Sequence, residues 1–196
     1  MKRIVTLCFA LLLSGNVMAQ LSSADRDFAV EYLNATHQNI VDLVEPLPDE
    51  AWNYTPEDGG WSVANCLEHI LTTESSFFQM AQGFMSQSEA DPEFKSSVSD
   101  GVLIGMMTNR GNRVQTAEQF EPSGKWSTKQ DMLDELEASR SKLISFLSDS
   151  KKNLREHKAN TPFGEIDTYQ VFLLVGAHSQ RHTFQMQEVL GEMEGM

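Results

Sequence analysis

Cysteine is almost missing: the 196-residue chain has two, Cys8 and Cys66. Cys8 lies in an apolar N-terminal run, so a chain that loses this run keeps one thiol and no intramolecular disulfide. Positive charge is scarce as well, with 15 Lys and Arg against 28 Asp and Glu and a formal net charge of −13. That balance excludes nucleic acid and anionic membrane as partners. No apolar run reaches the about 20 residues of a membrane-spanning helix. No segment alternates apolar and polar residues over a convincing strand length, and neither repeats nor low-complexity blocks occur. GxSxG, HExxH and nucleophile–base pairings are absent. Helices are left to make the fold, and histidine to make the chemistry.

At the N-terminus, Lys2 and Arg3 precede the apolar run Ile4 to Leu13, and Val17-Met18-Ala19 stands before Gln20. This is the layout of a secretory signal peptide. Residues 1–19 are read as a signal peptide that is removed, and residues 20–196 as one domain, exported to a periplasm or secreted. No cysteine follows the run to carry a lipid, so no membrane association is expected after cleavage. Loss of Lys2 and Arg3 takes the formal charge from −13 to −15.

The rest of the chain reads as helices. Ser22 or Ser23 caps a first helix to about Val44, with Phe28, Ala29, Tyr32, Leu33, Thr36, Ile40 and Leu43 on its apolar face and His37 on the flank. Pro46 and Pro48 end it. Residues 47–60 read as a connection in which Trp52 and Tyr54 cover one end of the core. Ser62 caps a second helix to about Met85, with Trp61 just before it. Ser86 to Ser99 reads as a mobile loop. A weaker helix follows Asp100 and contains Val102, Leu103, Met106, Met107 and Val114. Ser127-Thr128-Lys129-Gln130 opens a helix with Leu133, Leu136, Leu143, Ile144 and Leu147 as its stripe. Lys151 to Lys158, with His157, reads as a surface loop, and Thr161-Pro162-Phe163-Gly164 as a turn. The last helix opens at Asp167. The fold class is all-α, a four-helix bundle with one extra weaker helix or long crossover.

In the last helix, Val171, Leu174, Val175, His178, His182, Gln185 and Val189 share one face at about 100° per residue. His178 and His182 are one turn apart, so both rings reach one point. Polar groups on a core-facing stripe need partners, and one metal ion satisfies both rings. The alternative is a pair of core histidines held by hydrogen bonds. A third ligand is at hand in His69, beside the stripe of the second helix. Three imidazoles leave coordination positions open, as in catalytic sites. Glu74, in the middle of the same stripe, either pairs with a cation at the bundle edge or serves the site. Cys66 reads as a small buried hydrophobe.

Trp61-Ser62, Leu67-Glu68-His69-Ile70, Glu74 and the late His178-Ser179-Gln180-Arg181-His182 with Gln185, together with the upstream Leu47-Pro48 and Trp52, resemble the DinB/YfiT-like superfamily of metal-binding helical bundles. The resemblance covers nearly the whole chain after residue 19. It implies an up-down-down-up helix order, for which Ser86 to Ser99 offers one crossover. It also implies a divalent metal on His69, His178 and His182. Relatives include S-transferases and an isomerase that use low-molecular-weight thiols, and proteins called metal-dependent hydrolases. Those thiol users work in the reducing cytoplasm, whereas this chain is read as exported, where free thiol is less dependable.

Two functions follow. One is a metal-dependent enzyme of hydrolase or thiol S-transferase type acting on a small molecule, with Glu74 or Gln185 orienting a ligand and Arg181 holding an anionic substrate. The other is a non-catalytic exported protein that binds a metal or small molecule, with a structural metal. Zinc is the first expectation for the ion; nickel, iron, manganese and cobalt also suit three imidazoles. A homodimer is compatible with such a bundle.

Overall fold

The computed structural model describes residues 20–111 and 114–195. The expected signal peptide, residues 1–19, lies outside them. Helix α1 (Ser23–Val44) is capped by Ser22, whose hydroxyl accepts from the Asp25 amide, and buries Ala29, Leu33, Thr36, Ile40 and Val44 at helical spacing. Phe28, expected on that face, is exposed and stacks on Tyr32. The connection after it holds a one-turn helix, α2 (Asp49–Asn53), which buries Trp52. Helix α3 (Val63–Gln87) opens with a reciprocal Ser62–Asn65 capping box. Helix α4 (Asp100–Thr108) ends before Val114, which lies exposed outside it. Helix α5 (Lys129–Asp149) is capped by Thr128.

A short antiparallel hairpin follows, β1 (Lys158–Thr161) and β2 (Gly164–Asp167), turning at Pro162-Phe163. The sequence was read as free of strands; four residues per strand are too few for alternation to register. Helix α6 (Thr168–Glu194) is capped by Asp167 through a second capping box with Gln170.

Helix α6 packs against α1, α3 and α4, and α5 packs against α1 and α3. Two apolar clusters give the helix directions. One joins the first half of α1, the last part of α3, the second half of α5 and the first half of α6. The other joins the end of α1, the start of α3, the start of α5 and the end of α6. So α1 and α6 run one way and α3 and α5 the other, which is the up-down-down-up order. The chain between α3 and α5 must then cross the full height of the bundle, carrying α4 over α6 on the way. Helices α1 and α6 approach closely at Gly176, where a Cβ would lie 2.7 Å from the Tyr32 ring.

Two connecting segments are fastened to the bundle by specific contacts. Residues 88–99 are tied to the hairpin region: the Asp91 amide donates to the Glu156 carbonyl at 2.9 Å and the Ser97 amide to the Glu165 carbonyl at 2.8 Å. Arg155, in the expected surface loop, donates to Asp25 at 2.7 Å, Asp100 at 2.7 Å and Asp167 at 3.1 Å. It also lies 3.9 Å over the Tyr169 ring. One guanidinium thus gathers acids from the starts of α1, α4 and α6. His157 beside it is buried and contacts the Ser88 hydroxyl at 2.9 Å, not solvent.

Candidate metal centre

The capping box at Ser62 fixes where α3 starts, and with it the height at which His69 faces α6. On α6, His178 and His182 project from successive turns toward that point. The Nε2 atoms of His69 and His182 each lie 3.2 Å from Nε2 of His178. All three donor atoms fall within 4.8 Å of one another. A tetrahedral ion 2.0–2.1 Å from each imidazole nitrogen holds those nitrogens about 3.3 Å apart. The two 3.2 Å spacings match that value, and the third lies within 4.8 Å.

The outer nitrogens decide what these contacts are. His69 Nδ1 lies 2.8 Å from the Phe120 carbonyl, which can only accept. His69 must carry its proton on Nδ1, leaving Nε2 with a bare lone pair. His182 Nδ1 lies 2.9 Å from Gln185 Oε1. Arg110 donates to that same oxygen at 3.2 Å, which fixes the amide orientation and makes His182 a donor through Nδ1. The Thr73 hydroxyl donates to the His69 carbonyl at 2.7 Å and lies 3.4 Å from His178 Nδ1. Two bare lone pairs, on His69 and His182, thus face His178 Nε2; with His178 protonated on Nδ1, three lone pairs converge with no proton to share. Such an arrangement is repulsive by itself and is relieved by a cation.

Electrostatics agree. Burial, then the neighbouring rings of His182 and His69, drive His178 well below the ordinary histidine range. Burial and His69 bring His182 down to about 3, and burial lowers His69 against the opposing Phe120 bond. All three rings are neutral at neutral pH, the state that a metal ligand requires. Trp61 covers one side, 4.8 Å from the His69 ring and 6.1 Å from the His182 ring. Phe77 lies 5.7 Å from His178.

The other expected site residues stand in different relations to this point. Glu74 is buried against Arg140, which donates through Nε at 3.0 Å, and accepts from Ser139 at 2.9 Å. It serves the bundle interior and not the histidines. Gln185 does reach the centre, as an orienter of His182. Arg181 donates to the carbonyls of Met107 and Asn109, which fastens the crossover to α6. Burial pushes the Cys66 thiol up to about 12, so it stays protonated and inert. Sequence reasoning missed Phe120, whose role is played by its backbone, and Thr73 and Arg110. Helical spacing carried a signal for Thr73, four residues after His69.

The model of the DinB superfamily matches residues 32–186. The chain belongs to the DinB superfamily. No curated protein and no solved structure matches it. Within this DinB-like bundle, His69, His178 and His182 form a group able to bind a metal ion.

Proposed function

We propose that this DinB-like protein is an exported metal-dependent enzyme of hydrolase or thiol S-transferase type, acting on a small molecule, with zinc held by His69, His178 and His182. The convergence of three Nε2 atoms, two of them left bare because Nδ1 is committed to Phe120 or Gln185, is the observation that carries this reading. A divalent cation there supplies Lewis acidity, bringing a coordinated water or thiol toward neutral pKa. The chain's own part is to present three neutral donors, so that no carboxylate offsets the ion's charge. The Phe120 carbonyl and Gln185 hold two rings in the ligating tautomer. Trp61 and Phe77 shield the flanks from water.

A second reading, a non-catalytic protein with a structural metal, is favoured by one feature. Two surface hollows lie elsewhere. One is lined by Asn39, Asp42, Gln180 and Thr183 and the other by Thr108, Arg110, Phe184 and Glu188. Neither is lined by the three histidines.

The test is the metal content of the protein purified without chelator or affinity tag, beside His69→Ala, His178→Ala and His182→Ala. Near-stoichiometric divalent metal in the parent, lost in each variant with helix content intact, is expected. Hydrolase and thiol-transfer screens with the bound ion then separate the two readings, and fractionation of the producing cell checks export. A parent that takes up no divalent metal even on reconstitution would rule out both metal readings.

A further inference from the structure

Glu68, next to His69 on α3, is 3% exposed, and its partners all come from one turn of the crossover. Its Oε1 accepts from the Ser123 amide at 2.8 Å, the Ser123 hydroxyl at 3.1 Å and the Lys125 amide at 3.0 Å. Its Oε2 accepts from the Gly124 amide at 3.1 Å. Gly124 has φ +74°, and this left-handed residue lets successive amides converge on one anion. Burial opposes charge on the carboxyl, but these donors outweigh it and hold Glu68 below the usual carboxylate range.

The same crossover supplies the Phe120 carbonyl to His69 Nδ1 at 2.8 Å. Two consecutive residues of α3 therefore bind one stretch of chain, Glu68 at 123–125 and His69 at 120. Only three residues lie between Phe120 and Gly124, and one of them is Pro122, which stiffens the link. Where Glu68 holds the turn, the Phe120 carbonyl has little freedom to leave the imidazole.

We propose that Glu68 is a positioning residue of the histidine centre: by clamping Ser123–Lys125 it keeps the Phe120 carbonyl on His69 Nδ1 and so keeps Nε2 free to bind a metal. The proposal rests on the metal reading for its consequence, but not for its geometry. Substituting Glu68→Gln replaces one acceptor oxygen with an NH2 that faces a backbone N–H. The turn then loosens and His69 loses the acceptor that fixes its tautomer.

Two readouts on the full chain test this. Cobalt(II) titration of Glu68→Gln is expected to show affinity about 10- to 100-fold below the parent, the range for loss of a ligand's outer partner. A weakened visible cobalt band and unchanged helix content should accompany it. Glu68→Asp, which keeps the carboxylate, should recover part of the affinity. Long-range proton–nitrogen spectra of the metal-free protein should show His69 as a single Nδ1–H tautomer in the parent and a mixture in Glu68→Gln. If Glu68→Gln does not fold, Ser123→Ala removes one of the four bonds and carries the same readouts with smaller changes. Unchanged cobalt affinity together with an unchanged tautomer overturns the proposal. Should the parent bind no cobalt, the metal reading fails, and the tautomer alone decides whether Glu68 positions His69.

Discussion

Two clusters of buried polar side chains sit at the same height of this bundle, side by side on α3 and α6. Thr73 and His178 belong to one, Glu74 and Ser179 to the other. The Arg140 cluster is complete in itself. Its guanidinium donates to Glu74 on α3, to the Leu33 carbonyl and Thr36 on α1, and to Ser179 on α6. Donor meets acceptor at every contact, and a positive charge meets a negative one. In the histidine cluster the bare Nε2 atoms of His69 and His182 both face Nε2 of His178, which has at most one proton to offer. Burial is comparable, so burial alone does not identify a site. What distinguishes them is the balance of protons: one cluster closes its own hydrogen bonding, and the other closes only around a cation from outside.

The largest effect should come from unbalancing the closed cluster. Glu74→Ala leaves the Arg140 guanidinium buried without its counter-charge, and breaking one side of a buried pair costs about 3–5 kcal/mol. Urea unfolding should show that loss. Replacing both partners with apolar residues, as in Glu74→Leu with Arg140→Met, should recover most of it, because no buried charge is then stranded. His178→Leu in the metal-free protein should behave in the opposite way. It removes a lone pair from a repulsive group, so stability should hold or rise. A large loss on His178→Leu would break the contrast and make the histidines ordinary core hydrogen-bonding residues.

Acidity sharpens the same contrast. Free histidine titrates near pH 6.5, whereas burial holds His178 well below that and His182 at about 3. Between those values the unfolded chain takes up protons that the folded chain refuses. Stability of the metal-free protein therefore falls as pH drops below about 6.5, and this contribution is fully present only above it. Thermal unfolding between pH 7.5 and 4.5 should show the decline, and a His178→Leu, His182→Leu double variant should flatten it. A parent curve as flat as that of the double variant would mean that the rings are not held neutral by the fold.

The sequence exposed these clusters unequally. His178 and His182 were legible because a helix repeats every 3.6 residues and two polar rings fell on an apolar stripe. His69 lay beside its stripe and was legible as a further helical histidine near an apolar face, a place the family resemblance then supported. Glu74 was visible as a misplaced carboxylate, but its partner was not recognised. The clue was present: Arg140 stands four residues after Leu136 and three before Leu143, in the middle of the α5 stripe. Two opposite charges on two core faces point to each other before they point to a metal. Phe120 was beyond reach, since a backbone carbonyl has no residue type. The Arg155 hub was hidden for a related reason: its three acids are far apart in sequence, and only the helix starts bring them together.

The smallest predicted effect separates orientation from stability within the open cluster. Arg110 donates to Gln185 Oε1 at 3.2 Å and pairs with Glu188 at 2.6 Å. The ion pair is partly exposed, so its loss should cost less than about 1 kcal/mol of stability. Its effect on metal binding runs through Gln185. Without Arg110 the amide can flip and offer its NH2 to His182 Nδ1, which favours the tautomer with a proton on Nε2. Bound metal disfavours that tautomer, so Arg110→Ala should weaken cobalt(II) binding by less than the about 10-fold typical of a ligand's direct partner. Glu188→Ala breaks the same ion pair but leaves the bond from Arg110 to Gln185, so it should leave cobalt affinity unchanged. Equal losses in the two variants would assign the effect to the ion pair. A loss in Arg110→Ala alone would show that the proton balance of the centre is set two residues beyond its ligands.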